Sequence, residues 1–320
     1  MASPRQGPLE PVTVGVDIGN ATTSVATAAG VLAFFPSVLT TFGIGPYDGL
    51  SKVAGTIRHH VDYGDMHAVV GADAFDMYGA DTLLAEGEQA QSRYTDPASF
   101  LCFLAGISAS FPLADTVAVN LATGAPLSVY ETRRAKIVTR YRGRHTYGYN
   151  GHERTVIVNT VQVYGEGREA MRLLTPEQRR GNIAVHDVGG RTWNVLFFRD
   201  GALKRSQTFN LGTDRLFDTI STSAPRDAAV RWEMQAEMRA NPKSHAPIRK
   251  ALEKAALDAL AIIERKLALS QADMHCLMGG GALYLPGPIK FRYGKPVTTL
   301  NGDAPEAANA LAYAIAASEV

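Results

Sequence analysis

The sequence predicts an α/β protein of two domains, and three observations support this. The chain has 320 residues, and about 150 residues per domain suggests two of them. Predicted strands and helices alternate along the whole chain, which is typical of the α/β class. A strand that ends in Asp-x-Gly and turns back into a second strand occurs twice, at Asp17 and at Asp187. We therefore expect two lobes.

Local patterns predict the individual elements. Hairpin turns are expected near Gly30 and at Asn150-Gly151, within a hairpin that spans 133–163. Residues 41–66 read as a loop and 222–245 as a mobile helical insertion, and a turn is expected at 123–126. The remaining predicted strands cover 12–16, 117–121, 182–188, 194–199 and 276–278, and the predicted helices cover 99–111, 247–269 and 305–318.

Composition excludes several classes of protein. Hydrophobic residues make up 46% and charged residues 20%, as in ordinary soluble proteins. The net charge of +1 offers no strong attraction for nucleic acid or membrane, so no direct nucleic-acid site is expected. Cys102 and Cys276 form no CxxC pair, which argues against a zinc site and fits a reducing compartment. No stretch reaches the roughly 20 apolar residues of a membrane helix. We expect a cytoplasmic protein with a disordered leader at 1–11.

The two Asp-x-Gly corners have the chemistry of a phosphate site. Glycine lets backbone N–H groups approach phosphate oxygens, and hydroxyl groups add donors. The two aspartates can hold Mg²⁺ through water, because this ion keeps several waters and uses few carboxylates. Either corner alone is typical of an ordinary hairpin turn, but two such corners, each after a buried strand, are much less likely to occur by chance. The first corner contains Asp17, Gly19, Asn20, Ala21, Thr22, Thr23 and Ser24, and the second contains Asp187, Gly189, Gly190, Arg191 and Thr192.

Two further features complete the predicted site. Gly279, Gly280, Gly281 and Ala282 follow a short strand and would let a base or a phosphate pack on the backbone, although a helix-opening loop has the same pattern. Glu166 also follows a strand and could orient water toward a γ-phosphate, although such a residue is more often a solvated charge. The chain has no P-loop, and a strand rather than a helix follows each corner, which excludes a Rossmann fingerprint.

In their order these motifs resemble the actin superfamily. The first corner is similar to its phosphate-1 loop, the second to its phosphate-2 loop, and Gly279–Ala282 to its adenosine motif. Within the superfamily the chain resembles the ParM-like proteins of bacteria and archaea. The segments that carry this likeness are 34–37, 121–126, 161–166, 209–213 and 307–311.

The resemblance implies an actin-like ATPase fold, with two ribonuclease-H-like lobes around a nucleotide cleft. Lobe I would span 12–165, with the closing helix 305–320 returning to it, and lobe II would span 166–304. The ligands would be ATP or GTP with Mg²⁺. Asp17 and Asp187 would hold the metal through water, and Glu166 would orient the lytic water. The ribose and base would be bordered by Gly212, Thr213, Asp214 and the Gly279–Ala282 run.

The resemblance also implies a homopolymeric filament, a DNA-binding adaptor protein as partner, and a role in DNA segregation. Two alternatives stay open. One is a non-polymerising ATPase of the same superfamily, either a small-molecule kinase or a reactivating chaperone-type protein. The other is a nucleotide-binding module with weak hydrolysis. One feature favours the binding module: many relatives have a lysine in the first loop, whereas this chain has Thr23 and Ser24 there.

Overall fold

The structure is a computed structural model that describes residues 10–42, 59–76, 81–82, 96–220, 228–241 and 243–319. The strands are β1 (Val12–Ile18), β2 (Thr22–Thr27), β3 (Gly30–Pro36), β4 (Val38–Phe42), β5 (His60–Tyr63), β6 (Met66–Val70), β7 (Asp81–Thr82), β8 (Thr116–Ala125), β9 (Gly143–Tyr149), β10 (His152–Gly165), β11 (Asn182–Val188), β12 (Trp193–Arg199), β13 (Ala202–Phe209), β14 (Met274–Met278) and β15 (Val297–Thr299). The helices are α1 (Pro97–Ser110), α2 (Tyr130–Tyr141), α3 (Thr213–Thr219), α4 (Ala228–Ala240), α5 (Ala246–Leu267), α6 (Pro286–Tyr293) and α7 (Ala308–Ser318).

The described strands form two mixed sheets, which confirms the predicted α/β class. The order is β3-β2-β1-β8-β10-β9-β5-β6-β4-β7 in the ten-stranded sheet and β13-β12-β11-β14-β15 in the five-stranded sheet. Both sheets share one arrangement, in which a strand has an antiparallel hairpin partner on one side and a parallel partner on the other. This strand is β1 in the first sheet and β11 in the second. Asp17 and Asp187 are each its penultimate residue and so lie at equivalent corners.

Helix α7, the last helix of the chain, packs directly on β1 of the ten-stranded sheet. The backbones approach so closely that a methyl group on Gly15 would lie 1.9 Å from the carbonyl oxygen of Ala310. The alanine-rich sequence of α7 permits this contact, because small side chains allow a helix to lie close to a sheet. The C-terminal segment is therefore placed against the first corner of the chain.

The helices predicted over 99–111, 247–269 and 305–318 are confirmed as α1, α5 and α7, the last preceded by a short 3₁₀ helix at Pro305–Ala307. The loop prediction for 41–66 is wrong where β5 and β6 form, and the turn expected at 123–126 is wrong because β8 continues to Ala125. The hairpin predicted from 133 is wrong in its first part, where α2 forms. This helix buries only Ile137 and Tyr141, so it lacks the broad apolar stripe that signals a helix.

Some expectations fall on residues outside the described ranges. These include most of the leader predicted at 1–11 and the first part of the insertion predicted at 222–245, where α4 begins at Ala228. Among the described residues, no helix combines the length and the apolar character needed to span a membrane.

Candidate functional site

The two corners have the same backbone construction. The N–H of Gly19 donates to the carbonyl oxygen of Thr22 at 2.8 Å, and the N–H of Gly189 donates to that of Thr192 at 2.9 Å. In register, Asp17 lies opposite Ser24, just as Asp187 lies opposite Asn194. The sequence similarity between the corners therefore reflects one local geometry used twice.

The structure brings the two corners together although they lie far apart in the sequence. A methyl group on Gly190 would lie 3.8 Å from Cβ of Ala21. Asn20 and Ala21 of the first corner line one cavity together with Thr213 and Asp214, which follow the five-stranded sheet. Segments of both sheets therefore border a single crevice.

Residues 212–214 are hydrogen-bonded to the second corner through their backbone. Their N–H groups donate in order to the carbonyl oxygens of Arg191, Gly189 and Gly190, at 3.1, 2.9 and 2.8 Å. Gly212 has no room for a side chain, since a methyl group there would lie 2.3 Å from the Gly190 carbonyl oxygen. The segment thus forms one unit with the second corner and fixes its shape.

The glycine run at 279–282 packs against the strand that carries Asp187. Gly279 has a φ of 77°, which favours glycine, and a methyl group there would lie 2.5 Å from the carbonyl oxygen of Val188. A methyl group on Gly281 would lie 2.4 Å from Cγ1 of the same valine. These glycines allow the run to lie directly behind the second corner, where a short 3₁₀ helix begins at Gly280.

Glu166 and Asp187 lie in one buried hydrogen-bond network. Both carboxylates are nearly inaccessible, with exposed fractions of 7% and 5%. The side-chain amide of Asn194 donates to Oε2 of Glu166 at 3.2 Å and lies 3.5 Å from Oδ2 of Asp187. The amide of Asn309 donates to the same Asp187 oxygen at 3.2 Å. The sequence analysis named neither asparagine as a site residue. Asn194 faces Asp187 within the β11–β12 hairpin, but it meets Glu166 only through the tertiary fold, as Asn309 meets Asp187.

The hydroxyl groups of the first corner differ in their placement. The Thr23 side chain is buried, and its Oγ1 lies 2.8 Å from Oγ of Ser37. It also contacts the thiol of Cys102 on α1. Burial raises the pKa of this thiol to about 12. Ser24 lies on the opposite face of β2, across from Asp17. Its buried Oγ has no hydrogen-bond partner among the described residues. An orphaned buried hydroxyl is uncommon and fits a group that would be satisfied by a bound ligand or its water.

Helix α4 closes one side of the crevice. The sequence analysis predicts a helical insertion here but assigns it no role at the site. Arg231 forms an ion pair of 2.9 Å with Asp214, and the Trp232 ring stacks on Phe34 of β3 at a centroid distance of 5.7 Å. Burial raises the pKa of the Asp214 carboxyl, against the opposing effect of Arg231. The helix therefore joins the second corner to the hairpin that follows the first.

The same face of α4 reaches the glycine run. Arg239 forms an ion pair with the buried Glu306, and a methyl group on Gly280 would lie 4.0 Å from Cγ of that glutamate. Arg231, Gln235 and Arg239 share this face because they are four residues apart. That spacing is the one signal in the sequence that could have pointed to α4.

The two sheets and their facing corners form an actin-like fold. Residues 15–168 match the family described as actin like proteins N terminal domain. No curated protein matches the chain.

Solved structures of an archaeal actin homologue and of ParM proteins share this fold along nearly the whole chain. The archaeal actin homologue Ta0583, in complex with ADP, is 18% identical with a TM-score of 0.71, over 97% of this chain and 100% of that one. ParM of Bacillus thuringiensis, solved with ATP, is 17% identical with a TM-score of 0.69, over 96% and 98%. The subunit of a 15-stranded ParM filament from Clostridium botulinum is 15% identical with a TM-score of 0.72, over 98% and 100%. The predicted actin-like fold is confirmed.

Proposed function

We propose that this protein is an actin-like ATPase that binds ATP and Mg²⁺ between its two corners and assembles into filaments. The observation that carries the proposal is the network in which Asn194 joins Glu166 to Asp187 beside the second corner. A buried pair of acids next to a phosphate-sized turn is the arrangement expected of a site that holds a hydrated metal and activates water.

The residues at the corners fit a magnesium polyphosphate. Asp17 and Asp187 would hold the ion through water, and the orphaned Ser24 hydroxyl lies across from the first of them. Backbone N–H groups of the two corners would bind the phosphate oxygens, apart from those of Gly19 and Gly189, which donate within the turns. Arg191 lies in the second corner, and Arg231 of α4 pairs with Asp214 beside it. These two residues would supply the positive charge that the first corner lacks, because it has Thr23 and Ser24 where many relatives have a lysine. Gly212–Asp214 and Gly279–Ala282 would border the ribose and base.

Glu166 would act on the water that attacks the γ-phosphate. Its carboxylate would accept a hydrogen bond from this water, orient it in line with the bond to be broken, and take up its proton. The amide of Asn194 holds one carboxylate oxygen, so the group cannot rotate freely. When bound, Mg²⁺ neutralises charge on the phosphates and makes the terminal phosphorus easier to attack.

Assembly into filaments is supported by neighbours that were solved as filaments, including the 15-stranded ParM filament. A head-to-tail contact between identical subunits repeats without closing and produces a polymer. We infer that lobe I comprises 12–165 with 305–320, that lobe II comprises 166–304, and that nucleotide between them controls the contact. The cellular role would be DNA segregation in the cytoplasm through an adaptor protein that binds DNA.

The proposal is tested by adding Mg-ATP or Mg-GTP to the purified protein. We expect phosphate release, a rise in light scattering, and filaments in electron micrographs, all abolished by EDTA. Phosphate release without scattering or filaments at any protein concentration would favour the non-polymerising ATPase. Nucleotide binding without phosphate release would favour a binding module, and absence of both would refute the proposal.

Weakening the contact between α4 and β3 is expected to speed nucleotide entry. Trp232 of α4 stacks on Phe34 of β3 beside the cavity that Ala21 and Asp214 line, so this contact holds one side of the crevice closed. An aromatic pair contributes about 0.5–1.5 kcal/mol, so Phe34→Ala should raise the association rate of ADP about 2- to 12-fold. Stopped-flow fluorescence with a labelled ADP measures this rate. Leu32→Ala, at an exposed position of the same strand, should leave the association rate of ADP unchanged. If the rate is also unchanged in Phe34→Ala, this contact does not close the crevice.

A further inference from the structure

We propose that Asn309 and Asn194 form an amide clamp that positions Asp187 and Glu166 for hydrolysis. The inference rests on the proposed ATPase activity and assigns to both asparagines a role as positioning residues. Neither would touch the nucleotide. Each would act through a carboxylate that it holds.

Asn309 is fixed at both ends of its side-chain amide. It is 6% exposed, its Nδ2 donates to Oδ2 of Asp187 at 3.2 Å, and its Oδ1 accepts from the backbone N–H of Gly167 at 3.0 Å. The orientation of the amide follows from these partners, because a backbone N–H only donates and a carboxylate only accepts. The side chain therefore joins Asp187 to the residue directly after Glu166.

Asn194 is fixed in the same way from the other side. It is 2% exposed, and its Oδ1 accepts from the Thr208 hydroxyl at 2.7 Å. This leaves its Nδ2 to face Oε2 of Glu166 and Oδ2 of Asp187. Two amide donors, from Asn194 and Asn309, therefore approach Oδ2 of Asp187. The Asn194 amide also donates to Glu166.

The clamp has a geometric consequence for the two acids. Each amide is held by a partner of its own, Gly167 for Asn309 and Thr208 for Asn194, so its donor points in a fixed direction. The clamp would therefore fix the orientation of both carboxylates, which is what holding a hydrated metal ion and orienting water require.

The clamp also joins the two sheets. Asn309 belongs to α7, which packs on β1 of the ten-stranded sheet, whereas Asp187 is the penultimate residue of β11 in the five-stranded sheet. The position of Asp187 relative to Asp17 therefore depends on a side chain from a helix that packs on the opposite sheet. Closure of the crevice and assembly of the acidic pair would be coupled through Asn309.

The test is steady-state ATP hydrolysis at pH 7 by the full chain carrying Asn309→Asp. This change keeps the shape and the acceptor for Gly167 but removes the donor to Asp187. We expect kcat to fall at least about tenfold while KM changes less than about threefold, because misplaced catalytic groups slow the chemical step more than they weaken binding. Asn120→Asp is the matched control, because that amide lies on β8 bonded to Thr160 and should leave both quantities unchanged.

Asn194→Ser provides a second variant if Asn309→Asp does not fold. It shortens the side chain that reaches Glu166 and should lower kcat about tenfold or more with little change in KM. A folded variant whose kcat and KM match the wild type would overturn the clamp while leaving the ATPase proposal intact. A wild-type protein that binds Mg-ATP without turnover would instead refute the proposed activity, and the clamp with it.

Discussion

Replacing Glu166 by glutamine is expected to slow phosphate release by about 10²- to 10⁴-fold, the usual contribution of a general base. Glutamine has nearly the same shape, and its carbonyl oxygen can still accept the bond that the Asn194 amide donates. The substitution removes only the charge and the ability to take up a proton. Affinity for Mg-ADP should stay within about threefold, because the carboxylate of Glu166 is assigned to water rather than to the nucleotide. Single-turnover phosphate release and calorimetric ADP binding measure the two quantities separately.

Glu169→Gln is the matched control for this prediction. Glu169 lies in the same loop but turns toward Arg172, with which it forms an ion pair of 2.7 Å. Its loss should leave phosphate release within about twofold, since such partly exposed pairs contribute little. If both variants hydrolyse ATP at the wild-type rate, Glu166 has no part in the chemistry and the network around Asp187 has another purpose.

Features encoded within a short stretch of sequence were predictable. The corners at Asp17 and Asp187 follow from glycines and hydroxyl residues directly after a buried strand, and the structure gives both the same turn. The turn predicted at Asn150-Gly151 from its residue types is confirmed, and both residues have the positive φ that asparagine and glycine tolerate best. Helix α5 was clear from its length and apolar spacing.

Features that depend on contacts between distant segments were not predictable. Asn309 reaches Asp187 only after α7 has packed across β1, and Asn194 reaches Glu166 only through the tertiary fold. An isolated asparagine in a strand or a helix carries no signal of either contact. Helix α4 has a polar sequence, and its role became visible only through Trp232 on Phe34 and Arg231 on Asp214. Thr23 shows the converse, since a hydroxyl in a phosphate-type motif turned out to face the core.

The five-stranded sheet holds a pair of buried histidines whose hydrogen bonds require them to be neutral. The indole N–H of Trp193, which can only donate, lies 3.2 Å from Nδ1 of His186. Nδ1 is therefore an acceptor, and Nε2 of His186 donates to Nδ1 of His275 at 3.0 Å. The His275 ring stacks on Tyr293 at a centroid distance of 4.5 Å. Protonating either ring would break this chain of bonds or bring two charges together.

Burial lowers the pKa of both histidines below the ordinary value of 6.5. The pKa of His186 falls well below it, with the neighbouring His275 as a further cause. Burial lowers the pKa of His275 to about 4, with Glu264 opposing the change and Lys295 adding to it. The unfolded chain, in which histidine has its ordinary pKa, binds protons more readily than the folded protein. The stability that the neutral histidines contribute is therefore complete above pH 6.5 and is lost as the pH falls toward 4.

The protein is therefore expected to lose on the order of 3 kcal/mol of unfolding free energy from His275 alone between pH 7 and pH 4.5, at ~1.4 kcal/mol per pH unit. Urea unfolding followed by circular dichroism at the two pH values measures the loss. His275→Gln keeps an acceptor for His186 but cannot titrate, so it should be less stable at pH 7 and should flatten the pH dependence. His152→Gln, at an exposed position of the β9–β10 hairpin, should change neither. If the unfolding free energy depends on pH equally in the wild type and in His275→Gln, protonation of the histidine pair does not destabilise the folded protein. The carboxylates would then determine its stability in acid.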